Sequence, residues 1–179
     1  MRKTVRIIAA AAVLLGSTPL FADAQADFAA RYATLKAAMD EREDKPIKAM
    51  LTKDFHSTDL QGEVRDADDM IARLAMVPVG PEMKSETKLL SVAVEGTSAK
   101  VMQNTSMSMQ RQGRDGVMHA GEFITVAEDI WVQQGGQWLL KSSEAQEITI
   151  KRDGVEMRHF KKGDVIPPRG ERGGRPPAQ

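Results

Sequence analysis

The sequence predicts a single α+β domain, with helices first and an antiparallel sheet after them. Three observations carry that expectation. Apolar residues recur at helical spacing up to residue 78, the period switches to two from Glu86 onward, and turn residues then arrive at hairpin intervals as far as Gly154. In the first helix Phe28, Tyr32, Leu35 and Met39 stand at i, i+4, i+7 and i+11 on one face, with Asp27 as the cap. The charged residues 40–43 end it. Asp44 caps a short second helix, with Pro46 in its first turn and Ile47, Met50 and Leu51 along one side. A third starts at Asp66, with Asp69 three residues on; Met70, Ile71 and Leu74 face inward, and Pro78 stops it. Strands follow at 89–95, 99–112, 117–133, 137–151 and 155–160. Gly96, Asp115-Gly116, Gly135-Gly136 and Asp153-Gly154 separate them, the last being a favoured type I′ pair. Ile124, Val126, Ile130 and Val132 form the apolar face expected to pack on the helices. The expected sheet has four to six strands.

The two ends of the chain read differently from its middle. Arg2, Lys3 and Arg6 precede an apolar run at residues 7–15, Gly16 and Pro19 break it, and Ala22-Asp23-Ala24 gives small residues at the spacing of a cleavage site. Residues 1–24 are therefore expected to be a signal peptide, placing the mature protein in the periplasm or outside the cell. A run of nine apolar residues is short of the roughly 20 that cross a bilayer, and the absence of cysteine rules out a lipid anchor at the cut. The folded domain is expected at residues 25–162. Residues 163–179, rich in proline, glycine and arginine, cannot build a core and are expected to be a disordered tail. Cleavage removes three of 25 basic and one of 25 acidic residues, leaving 22 against 24, a balance that gives no case for nucleic acid. With no cysteine there is no disulfide framework, so stability rests on the core alone.

Two stretches carry a family resemblance. Residues 47–62, IKAMLTKDFHSTDLQG, run from a short helix through an acidic residue into a strand ending at glycine. Residues 128–144, EDIWVQQGGQWLLKSSE, run Asp-x-Trp, a polar glycine turn, then Trp and two aliphatics. With the helices-then-meander order, these resemble the NTF2-like superfamily, which includes SnoaL-type cyclases, ketosteroid isomerases and DUF4440 proteins. The resemblance covers residues 27–150 and implies a cone-shaped fold: three N-terminal helices on a curved antiparallel sheet whose open end forms a pocket. It also implies pairing through the sheets into a homodimer. Asp59 resembles, in its helix–strand position and D-x-x-G setting, the general base of the isomerases. Tyr32, in an Arg-Tyr pair on the first helix, resembles their oxyanion-stabilising tyrosine. Such chemistry needs a base beside a C–H and donors at the carbonyl oxygen. The family's third group, a protonated acid on a late strand, falls near Thr125, where the sequence shows no convincing carboxyl.

Further polar groups fall where a pocket would be. His56 is expected at its edge, on the face opposite Asp59. Glu128 interrupts the apolar face of its strand, and a carboxylate buried there needs a partner or a raised pKa. Ser142 and Glu144 follow Trp138 and Leu140 at period two, and Trp131 with Trp138 makes a candidate aromatic wall. The three histidines lack the spacing of a zinc or iron site, and no phosphate loop, dinucleotide fingerprint or nucleophile elbow is present, so no cofactor is expected. Met107, Met109, Met118 and His119 offer thioethers and an imidazole of the kind that suits Cu(I), while methionine is equally a filler of irregular cores. Three functional readings follow: an exported module binding a small apolar ligand or assembling as a dimer, a small isomerase, lyase or cyclase resting on Asp59 and Tyr32, and a copper handler. Without a complete acid–base set, the sequence favours the first.

Overall fold

The computed structural model describes residues 19–76, 83–113 and 115–165. Most of the expected signal segment, the stop at Pro78 and nearly all of the expected tail lie outside them. The elements run α1 (Pro19–Glu41), α2 (Asp44–Ala49), β1 (Leu51–Thr58), β2 (Val64–Asp66), α3 (Ala67–Met76), β3 (Lys84–Glu95), β4 (Ser98–Gln112), β5 (Met118–Gln134), β6 (Gln137–Arg152) and β7 (Val155–Lys161). Among the described residues no helix is long and apolar enough to cross a membrane.

The helices form for the reasons the sequence suggests, with two changes at their starts. α1 begins before Asp27, which sits exposed within it and does not cap it; Ala24 and Ala26, strong helix formers ahead of it, carry the helix backward. Its buried stripe is Phe28, Tyr32, Leu35 and Ala38, so the expected cut after Ala24 removes none of the core. It ends in a Schellman motif: Glu43 N–H donates to Ala38 O and Arg42 N–H to Met39 O, both at 3.2 Å, with Arg42 in the left-handed region at φ 56°. α2 starts after Glu43, whose side chain makes no cap, and Asp44 lies in the first turn, where its charge suits the helix dipole. α3 starts as expected, with Asp69 N–H donating to Asp66 Oδ1 at 2.9 Å.

The sheet is larger than expected and is mixed. Its seven strands run β2-β1-β6-β5-β4-β3, with β7 also on β6. β1 runs parallel to β6, pairing at residues 140–144, and β7 takes the same edge further along, at residues 147–152. The parallel pair joins β1, early in the chain, to a strand that arrives only after four others. β2 has three residues, too few to show a period. Register shifts between Leu89 and Ser91, between Val126 and Ala127, and between Ile130 and Trp131 bend the long strands around the helices. The Asp153-Gly154 turn has both residues at positive φ, 53° and 79°, as a type I′ turn requires.

One face assignment is reversed. The side of β5 that meets the helices carries Ala127, Asp129 and Trp131, all buried, whereas Ile124, Val126, Ile130 and Val132 lie half-buried on the other side. Both sides of this strand are apolar enough to read as a core face, and the alternation fixes one only when Trp131 is placed. Trp131 is the centre of the core. Its ring lies 5.7 Å from Phe28 and 5.4 Å from Tyr32, edge-on to both.

Candidate functional site

A cavity of about 800 Å³ opens between the helices and the curved sheet. Leu35 and Met39 of α1, Met70 and Leu74 of α3, and Phe55 and Leu140 give it apolar walls. Gln103, Thr105, Thr87, Ser57 and Ser143 set a polar stripe along the sheet, and the Lys36–Asp40 ion pair and Arg42 also line it. Its polar centre is Asp129. This carboxyl is 2% exposed and accepts the Tyr32 hydroxyl at 2.5 Å through Oδ2, while Trp131 Nε1–H donates to Tyr32 Oη at 3.1 Å. Asp129 Oδ1 is buried without a hydrogen-bond partner.

The electrostatics follow from that burial. Loss of water pushes the Asp129 carboxyl up to about 6; Ser143, Tyr32 and Gln103 pull it down, and the charge of Glu128 adds to the rise. Ser143 and Gln103 lie near enough to act on the charge, yet neither completes a hydrogen bond to Oδ1. Tyr32 is pushed well above the ordinary phenol value by burial and then by the Asp129 charge, so it stays protonated and donates. The result is an acceptor-rich floor in an apolar chamber.

Tyr32 and Asp59, expected to share one cavity, are apart, and the carboxyl beside Tyr32 is Asp129. Asp59 lies in the turn after β1, away from the cavity lining. Its Oδ1 accepts the amides of Gln61 and Glu63 at 3.0 Å each, and its Oδ2 meets Arg65 at 2.6 Å. Burial alone pushes it up, but Arg65 and those amides outweigh this and hold it below the ordinary carboxylate range. It is a turn carboxylate.

The other expected pocket residues are spread around the cavity and not within it. His56 is exposed beside the Asp54 carbonyl, at 3.3 Å, because Phe55 and Ser57 take the inward positions of β1. Glu128 is on the outer face and pairs with Lys100 at 3.2 Å. Trp131 is buried behind the cavity, and Trp138 packs on Phe28 at 5.4 Å. Ser142 and Glu144 face outward, opposite Ile130 and Glu128, with Glu144 accepting Lys162 at 2.7 Å. The reason is the irregularity beside Trp131: Leu140 pairs with Trp131 and Ser142 with Ile130, so the bulge moves Leu140 and Ser143 to one face and sends Ser142 to the other. Asp129 and Ser143 are the residues that sequence reasoning missed. Asp129 stands in the Asp-x-Trp pattern two residues before a buried Trp, which is the signal that could have found it.

The copper constellation does not assemble. Met107 and Met109 share the cavity face, but Met118 lies on the other. His119 Nδ1 meets Asp153 Oδ2 at 2.7 Å and Nε2 meets Asp115 Oδ2 at 3.0 Å, which occupies both ring nitrogens. Among the described residues no group of three or more His, Cys, Asp or Glu is placed to hold a metal. His119 instead fastens the β4–β5 turn to the β6–β7 turn, where Ala120 N–H also donates to Asp153 Oδ1 at 2.8 Å. Gly113 is needed there, since a Cβ would strike Asp115 and come within 2.8 Å of the His119 ring. Asp153 and then Asp115 raise the His119 pKa. Stability from this clasp is therefore fully present below the ordinary imidazole value and is lost as pH rises through the raised folded value. An NMR titration of His119 is expected to show a midpoint above that of a free histidine, moved down by Asp153→Asn. An unmoved midpoint would discard the clasp.

No protein-family model matches the sequence, and no curated protein matches it significantly. Solved structures do match in shape. A scytalone dehydratase-like protein from Novosphingobium aromaticivorans aligns with TM-score 0.55 at 12% identity over 79% of this chain and 89% of its own. A type 2 hexachlorocyclohexane dehydrochlorinase aligns at 0.53 and 10% over 81% and 95%. An NTF2-like protein of unknown function from Pseudomonas putida aligns at 0.51 and 19% over 69% and 86%. The chain has the NTF2-like α+β fold. At these identities the likeness shows the fold alone, and the fold hosts many functions.

Proposed function

We propose that the cone binds a small, predominantly apolar molecule in the cavity over Asp129. The observation that carries this reading is a cavity of about 800 Å³, walled by leucine, methionine and phenylalanine, with one buried, half-satisfied carboxyl in its lining. Pockets of this size with few convergent polar groups are where small molecules bind. A ligand hydroxyl reaching Asp129 Oδ1 would supply the missing hydrogen bond. Titration of the protein with 1-naphthol, which has an apolar body and one O–H donor, is expected to show saturable binding by calorimetry. Met39→Trp fills the chamber and should weaken it at least about tenfold while leaving the thermal transition cooperative, since burial in the pocket is what holds the ligand. Equal binding by both proteins would put the probe elsewhere and end the reading.

A catalytic reading draws on the same carboxyl. A group titrating near neutrality inside an apolar chamber is suited to taking a proton from a bound C–H. Against it, the Tyr32 proton is already committed to Asp129, so that hydroxyl is not free to donate to a developing oxyanion. Binding is the better-supported function.

A further inference from the structure

The cavity does not close at its mouth. Thr105 and Met107 line it and stand opposite Thr125 and Phe123 on β5. Directly opposed residues of an antiparallel pair project to the same face. The register carries that face on: Phe123 is opposite Ile150, Thr125 opposite Ile148, and Ile148 in turn opposite Phe160. Burial falls away along β5 from Trp131 and Asp129 to Phe123, which is 41% exposed, and Ile148, Ile150 and Phe160 are only half-buried. The floor of the cavity thus runs out onto an open apolar shelf.

Two further features lie along the same path. Met39, Met70, Met83 and Met107 line the cavity and Met109 continues onto the shelf face. Thioether side chains of this kind adapt to a flexible ligand better than a shaped wall of branched residues does. Arg158 stands opposite Ile150 at the far side of the shelf, and its guanidinium has no ion pair or hydrogen bond among the described residues. A guanidinium is a planar fork that takes a carboxylate bidentately. From Asp129 to Phe123 is six residues of strand, about 20 Å, and from Phe123 across β6 to Arg158 is two strand spacings, about 10 Å.

We propose that the ligand of the cone is a long-chain carboxylate, its hydrocarbon chain lying in the methionine-lined cavity and along the Phe123–Ile150 shelf and its head group on Arg158. This rests on the cavity reading above and goes beyond it in length and charge. The test is calorimetric titration of the protein with octanoate, hexadecanoate and hexadecan-1-ol, each below its aggregation concentration. Hexadecanoate is expected to bind at least about a hundredfold more tightly than octanoate, because added methylenes continue to find apolar surface. Phe123→Ser should remove about tenfold from hexadecanoate, which loses the aromatic surface of the shelf. Arg158→Gln should remove about tenfold from hexadecanoate and less than about twofold from hexadecan-1-ol, the difference between losing a charged and a neutral partner. Both side chains are partly exposed, so neither change threatens the fold. Affinity that stops rising at octanoate, or equal losses for acid and alcohol in Arg158→Gln, overturns the proposal while 1-naphthol binding in the cavity still stands. Failure of 1-naphthol as well removes the cavity reading beneath it.

Discussion

Trp131→Ala is expected to lower stability by about 3–5 kcal/mol, the range for emptying the largest core positions. Trp131 has no exposed surface, and two aromatic rings pack against its edges. Alanine would leave a cavity between α1 and β5 that neither can close, because Phe28 and Tyr32 are held on a helix and Ala127 and Leu140 on a sheet. It would also remove the Nε1–H that steadies the Tyr32 hydroxyl under Asp129. Trp138→Ala provides the internal comparison. Trp138 is half-buried, with a single ring contact to Phe28, so it should cost clearly less. Urea unfolding of the three proteins reads the difference. A loss below about 1 kcal/mol for Trp131→Ala, or equal losses for the two variants, would move the centre of the core elsewhere.

Most elements, β2 excepted, were legible because they are marked locally. The i, i+4, i+7 stripe of α1, the Asp66 cap and the Asp153-Gly154 turn all act within a few residues, and the structure places each where its spacing puts it. The site was legible only by half. Tyr32 could be singled out, but its partner is 97 residues away, and nothing in the spacing says which carboxyl the fold will bring to it. Asp59 resembled a general base by local setting, and local setting is what disposes of it: the D-x-x-G turn satisfies the carboxylate with its own amides and Arg65. Strand parity misled in a different way. Period two predicts faces only for a regular strand, and the register shift beside Trp131 exchanges Ser142 for Ser143 and leaves Glu144 outside. Glu128 and Asp129 are adjacent, so one residue of parity decides which of them is buried. In a strand apolar on both sides, that bit is set by where Trp131 docks, which is a tertiary fact.

Asp129→Asn should change how stability depends on pH more than any other single substitution in the cavity. In the folded protein the carboxyl titrates at about 6, against an ordinary unfolded value near 4. Between those values the folded chain keeps a proton that the unfolded chain has released, so folding stability falls as pH rises through this window. Below about pH 4 both states are protonated and the group contributes no difference. Above about pH 6 the buried charge carries its full penalty, about 3 kcal/mol from a shift of roughly two pKa units. Asparagine keeps an oxygen to accept the Tyr32 hydroxyl and cannot ionise, so this pH-dependent penalty disappears. The stability of the wild type minus that of the variant is therefore expected to decline by about 3 kcal/mol from pH 4 to pH 7, with most of the decline between pH 4 and pH 6. Taking the difference cancels the groups that both proteins share, including Asp59, whose lowered value gives the opposite sign, and the His119 clasp, whose loss with rising pH falls in a higher window. Urea titrations at a series of pH values measure it directly. Parallel curves for the two proteins would mean that water or a counter-charge already reaches Asp129, and the half-satisfied carboxyl that anchors the ligand reading would be gone.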